Sequence, residues 1–223
     1  MTENKDIIEE QIEKGSCETK KQPKKQRLNR RQKIRFIAMT GILGAISTVL
    51  MMLSFSVPFM PSFIKLDFSE LPALVASFSM GPLAGVAVCF IKNLINVTMS
   101  TTGGVGELSN FLLGVCLVLP AGLVYKFRKN RLAAFLSALA GSLIMAFASL
   151  PLNYFVTYPI YMNFMPIEAI IGMYEAIFSG VDGLLSCLLI FNVPFTFLKG
   201  FLVTVLTFVI YKHISPIIKG VKK

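Results

Sequence analysis

Residues 187–212, CLLIFNVPFTFLKGFLVTVLTFVIYK, run for 26 residues with a single internal charge, Lys199. As a helix this run would be about 39 Å long, more than the roughly 30 Å hydrocarbon core of a bilayer. Its polar residues keep helical order. Asn192, Thr196 and Lys199 fall at i, i+4 and i+7, on one face. Lys199 lies about a dozen residues, or roughly 18 Å, from either end, too far to snorkel to a headgroup layer. An unpaired lysine at the bilayer centre is unfavourable by about 2.5–3.5 kcal/mol on insertion scales, so Lys199 must face a cavity or a partner. Two readings of the strip stay open: a hydrogen-bonded cluster between helices, or a surface facing a ligand.

Working outward, apolar runs of spanning character recur at 34–53, 83–99, 107–125 and 132–157. A shorter helix over 69–80 is broken by Gly81-Pro82, and a mixed segment at 158–186 carries a helical stretch near 166–178. The chain of 223 residues is 54% hydrophobic and only 15% charged, against about 25% charged in a soluble domain. The runs are solid rather than alternating, which excludes a transmembrane β-barrel. The expected fold is all-α: a polytopic membrane protein with six transmembrane helices and both termini cytoplasmic.

The orientation follows from where the basic residues lie. Residues 1–35 hold 11 of the 22 Lys/Arg, nine of them in KKQPKKQRLNRRQKIR at 20–35. Further basic clusters are KFRKNR at 126–131 and the C-terminal Lys219, Lys222 and Lys223. Six spans put all three on the cytoplasmic side, as the positive-inside rule requires, and losing one span would expose a cluster. Residues 1–33 are therefore expected as a disordered basic tail, 34–215 as the membrane domain, and 216–223 as a second basic tail. The net charge of +10 is explained by membrane lipid, with no need for nucleic acid. Tyr154, Tyr158 and Tyr161 are expected at the outer interface, and Asp67, Glu107, Glu168, Glu175 and Asp182 face outward.

Several chemistries are excluded. There is no GxxxxGK[ST] phosphate loop, no HExxH and no GxSxG, and His213 is the single histidine. The four cysteines stand apart, so no metal site is expected. The chain does not read as an enzyme. What remains is polar residues in apolar surroundings. Asn153, beside Tyr154, has an amide that suits the edge of a heterocyclic imide or a local cap. Lys92, Asn93 and Asn96 form a second group, in which Lys92 is expected to neutralise Asp67 or Glu70. Glu107 and Asn110 open the fourth span, where a carboxylate also suits the helix dipole. The first connection, SFSVPFMPSFIKLDF at 54–68, is too apolar for a solvated loop and is expected to pack back on the domain, with Phe55, Phe59, Met60 and Phe63 as a lid. Ala38, Gly41 and Ala45 give the first span a face of small residues on which another helix can pack, within the chain or on a partner.

FIKLDFSELPALVASFSMGPLAGV (63–86), IKNLIN (91–96), TTGGVGELSNFLLG (101–114), LNYFVTYPIYMNFMP (152–166) and FNVPFTFLKG (191–200) occur in that order. Together they resemble the riboflavin-specific S components (RibU type) of energy-coupling factor transporters, over about residues 34–215. The resemblance implies a six-helix subunit of the cell membrane that binds one vitamin near the outer surface, without a cofactor or ATPase activity of its own. It implies docking on a T component driven by two ATP-binding cassette proteins, through an AxxxA motif whose positions are Gly41 and Ala45 here. It also implies a flavin held among helices one, four, five and six under the first loop, with Asn153 and Lys199 at matching polar positions. The helix-six amide position falls on Thr196 or Asn192. Uptake of riboflavin is the leading expectation, and an S component for pantothenate, thiamin or a related heterocycle the alternative. A stand-alone secondary transporter would be expected to carry an inverted repeat, which is not evident here.

Overall fold

The computed structural model describes residues 30–61, 63–100, 102–181 and 183–219. The expected tail, up to residue 29, lies outside these, as do Asp182, Lys222 and Lys223 and the side chains from Tyr211 onward. Helix α1 spans Arg30–Met52. The first connection then forms a hairpin, β1 (Phe55–Ser56) antiparallel to β2 (Lys65–Leu66), with Phe55 opposite Leu66. Next come α2 (Glu70–Met80), α3 (Pro82–Val97), α4 (Val105–Phe127) and α5 (Arg131–Leu152). The chain continues without a break through a π-helical turn, Asn153–Thr157, into α6 (Tyr158–Tyr161). After α7 (Ile167–Glu175), α8 (Leu184–Cys187) runs through a second π-helical turn, Leu188–Asn192, into α9 (Val193–Lys219).

Among the described residues, four helical stretches are long and apolar enough to cross a membrane: Lys33–Met52, Val105–Phe127, Arg131–Tyr161 and Leu184–Ile210. The expected second and third helices form where the sequence placed them, but at 11 and 16 residues they rise only about 17 and 24 Å. Short reach goes with deep burial. In α2 every residue from Glu70 to Phe78 is buried, so this helix is apolar nearly all round because it lies inside the bundle. Its turn into α3 is made at Gly81, with φ of 108°, a conformation open to glycine and strained for other residues.

Small residues bring the helices close. A Cβ on Gly85 would lie 2.9 Å from the Ala73 carbonyl oxygen, and one on Gly141 only 2.6 Å from that of Leu117. Buried hydroxyls add bonds between helices: Ser77 donates to the Val118 carbonyl at 2.8 Å, and Ser142 and Thr204 pair at 3.0 Å. The exterior is the apolar part. Phe90, Phe147, Leu185 and Val209 are each about half exposed or more, whereas Glu70, Lys92, Ser142 and Ser149 are fully buried. That inversion is the packing expected in lipid, which offers polar groups no hydrogen bonds.

Helix α1 has two distinct faces. Thr40, Leu43, Gly44, Ser47 and Thr48 are buried, and Gly44 lies against Ile91 of α3. Ala38, Gly41 and Ala45 are exposed on the other side, and nothing lies within 4 Å of a Cβ placed on Gly41. The two glycines therefore separate in a stability measurement. Gly141→Ala forces a methyl onto a carbonyl oxygen and should lower stability by about 1–3 kcal/mol. Gly41→Ala should leave the melting temperature in detergent unchanged.

Candidate ligand-binding site

The two π-helical turns each place an amide inside the bundle. A π turn inserts one extra residue and shifts backbone bonds to i−5, here Tyr158 N–H to the Asn153 carbonyl and Val193 N–H to that of Leu188. A proline follows two residues after each turn, Pro159 and Pro194. Its ring would clash with the carbonyl four residues back in a regular α-helix, and the π turn displaces that carbonyl. Asn153 begins the first turn and Asn192 ends the second.

Both line a cavity of about 400 Å³. Its walls come from the end of α1 (Met51), the first connection (Phe63, Lys65, Asp67), α3 (Asn96), α4 (Glu107, Asn110), α5 and its π turn (Met145, Asn153, Thr157), and α9 (Thr196, Lys199). Seven expected site residues thus meet: Asp67, Glu107, Asn110, Asn153, Asn192, Thr196 and Lys199. Phe59 and Tyr154 do not. Phe59 is 80% exposed with φ of 66°, at the tip of the hairpin, because pairing of β1 with β2 turns the tip outward. Tyr154 packs edge-on against Phe155 on the outer side of its helix. Tyr158 is buried within the bundle.

The polar groups fall into three sets. In the first, Lys199 Nζ donates to Asp67 Oδ2 at 2.9 Å and Asn110 Oδ1 at 3.1 Å, and lies 3.5 Å from Glu70 Oε2. Lys92 Nζ reaches Glu70 Oε1 at 2.8 Å and also bonds Ser69 Oγ. Ser69 in turn donates its hydroxyl and its N–H to Asp67 Oδ1. Burial alone would raise the Asp67 carboxyl, but Lys199, Lys92 and Ser69 together hold it below the usual carboxylate range. In the second set, the hydroxyls of Tyr158 and Tyr174 bond each other, Tyr174 donates to Asn192 Oδ1 at 2.8 Å, and Asn192 Nδ2 donates back to Tyr158 at 3.2 Å. Burial pushes the Tyr174 hydroxyl up from its ordinary value, so the ring of bonds stays protonated. In the third set, Glu107 accepts from Ser100 at 2.7 Å, and Asn153 Oδ1 accepts from Ser109 at 3.3 Å.

Asn153 Nδ2 and the Thr196 hydroxyl have no protein partner among the described residues, and both groups belong to the cavity wall. Tyr158, Tyr174, Ser69 and Ser109 were missed in the sequence. Only the prolines after the π turns offered a signal. Among the described residues no cluster of His, Cys, Asp or Glu could hold a metal ion. Lys92 pairs with Glu70 as the sequence led us to expect, outside the cavity wall. Lys92→Ala removes the nearer of the two ammonium groups beside the fully buried Glu70, leaving only Lys199 at 3.5 Å, so stability should fall by up to about 3–5 kcal/mol. Melting curves with and without bound ligand should drop together.

Comparison with known proteins bears on this cavity. The family described as ECF transporter, substrate-specific component, matches residues 35–211. The riboflavin transporter RibU of Staphylococcus aureus (strain TCH60) is 31% identical over 198 residues, covering 88% of this chain and 98% of that protein. The riboflavin transporter FmnP of Bacillus subtilis (strain 168) is 30% identical over 189 residues, covering 82% and 94%. A solved S component of a bacterial ECF transporter superposes with a TM-score of 0.67 at 30% identity, covering 85% of this chain and all of that one. With its polar-lined cavity, its apolar exterior and a family match over most of its length, this chain belongs to the substrate-specific components of ECF transporters.

Proposed function

We propose that this chain captures riboflavin outside the cell for uptake by an ATP-driven energy-coupling factor transporter. One observation carries the reading: Asn153 Nδ2 and the Thr196 hydroxyl, without protein partners among the described residues, line the same cavity. A void of about 400 Å³ lies within the roughly 300–1,000 Å³ of small-molecule sites, which combine apolar walls with a few directed polar groups. Phe63, Met51 and Met145 supply the walls for a flat tricycle. Asn153, Thr196, Asn192 and Lys199 supply bonds to its imide edge, and Glu107 and Asn110 bonds to a polyhydroxyl chain. The relatives named riboflavin transporters support the choice of vitamin.

In this reading the chain lies in the cell membrane with six spans, α2 and α3 being the two short ones, and with both termini cytoplasmic. Residues 1–33 and 216–223 are basic tails on either side of a 34–215 membrane domain. The exposed Ala38, Gly41 and Ala45 of α1 dock on a T component that two ATP-binding cassette proteins drive. Gly44 stays committed to Ile91, so the docking face and the packing face are separate.

Riboflavin titrated into the purified chain should show saturable quenching of flavin emission by stacking on aromatic side chains, and absence of saturation would sink the assignment. Asn153→Ala and Thr196→Val each leave a ligand group unpaired, at about 1–3 kcal/mol, and should weaken binding roughly 5- to 150-fold. Gly41→Leu puts a large side chain on the free face of α1. Binding in detergent should persist while uptake by cells carrying the whole transporter falls to background. Loss of both would place that face inside the bundle instead.

A further inference from the structure

Four buried side chains form a cluster whose formal charges cancel: Asp67 and Glu70 against Lys92 and Lys199. Glu70 and Lys92 are fully buried, behind the cavity wall, and Asp67 and Lys199 lie on it. Lys199 alone would present a cation to the ligand. Asp67 removes that cation at 2.9 Å, and is itself locked in place because its other oxygen takes the Ser69 N–H at 2.9 Å. On α4, Glu107 adds a carboxylate to the wall, with hydroxyls of Ser100 and Thr102 as partners and no ion pair among the described residues. Lys65, the other cation of the wall, is exposed.

An anion entering this cavity would lose its water and find its one buried lysine already neutralised. A neutral polar molecule would meet no such penalty, since donors and acceptors suffice for it. We propose that Asp67 is a specificity-determining residue: by neutralising Lys199 it tunes the cavity to an uncharged ligand and against an anionic analogue of the same shape. The inference rests on the riboflavin reading above, for which riboflavin 5′-phosphate is the anionic analogue.

The test measures the dissociation constants of both flavins on the full chain in detergent and follows their ratio, phosphate over riboflavin. Asp67→Asn keeps size and an acceptor oxygen but leaves the cluster with one net positive charge. The ratio should fall about tenfold, the size of a unit charge acting over roughly 10 Å at an effective dielectric constant of about 20. Lys199→Gln leaves one net negative charge and should raise the ratio. Asp67→Asn combined with Lys199→Gln is neutral again, and its ratio should return towards wild type even if both affinities drop. An Asp67 that served only to hold the fold would weaken both flavins by one factor, leaving the ratio unchanged. That result, or ratios moving the same way in the two single variants, overturns the proposal. Should Asp67→Asn fail to assemble, the rise expected for Lys199→Gln and a fall in Glu107→Gln carry the test, and an unchanged ratio in both refutes it. A wild-type chain that quenches neither flavin refutes the riboflavin reading itself, before any variant is compared.

Discussion

Charge pairing out of water is the constraint on which the rest of this protein depends. Lys92 and Glu70 are completely buried, and Lys199 and Asp67 nearly so. Each alone would be severely unfavourable in an apolar interior, and together they are tolerable only in close, fully bonded geometry. The geometry reaches across the bundle. Glu70 begins α2, Lys92 lies on α3, Lys199 on α9, Asn110 on α4, and Asp67 follows the hairpin. From α1, Ser47 donates to the Ser69 carbonyl, which brings that helix into the same network. Five helices thus share one polar junction, and displacing α2, α3 or α9 would strand a charge.

That junction also forms one wall of the cavity, so in the proposed reading folding and recognition are not separate. Lys199 is held by Asp67 and Asn110, and Asn192 is held by two tyrosines. Groups fixed in advance lose little freedom on binding, which favours affinity. The π turns contribute in a different way. By shifting the backbone register inside two long helices, they aim Asn153 and Asn192 at the cavity, and the prolines downstream make the regular alternative unfavourable.

Helix α1 links the cavity to the surface. Its buried side touches the junction through Ser47 and packs Gly44 on Ile91. Its outer side exposes Ala38, Gly41 and Ala45 among branched aliphatic residues such as Ile42 and Val49. An apolar face in lipid gains nothing from the hydrophobic effect, and in the proposed docking close contact through small residues would be what lets a partner helix hold on to it.

The helices themselves were legible in the sequence, because lipid imposes long apolar runs and turn residues such as Gly81-Pro82 break them wherever the backbone must turn. The same constraint made Lys199 conspicuous, and the i, i+4, i+7 spacing correctly put Asn192 and Thr196 on its side of the helix. The pairing of Lys92 with Glu70 could be foreseen for the same reason: a buried cation requires an anion, and few were available. Tertiary structure alone decided the rest. That Asp67 pairs with the Lys199 ammonium depends on a hairpin 132 residues away along the chain. The same hairpin turned Phe59 away from the cavity, and packing against Tyr174 buried Tyr158. Local sequence sets which groups must be satisfied, and the distant contacts of the folded chain set what satisfies them.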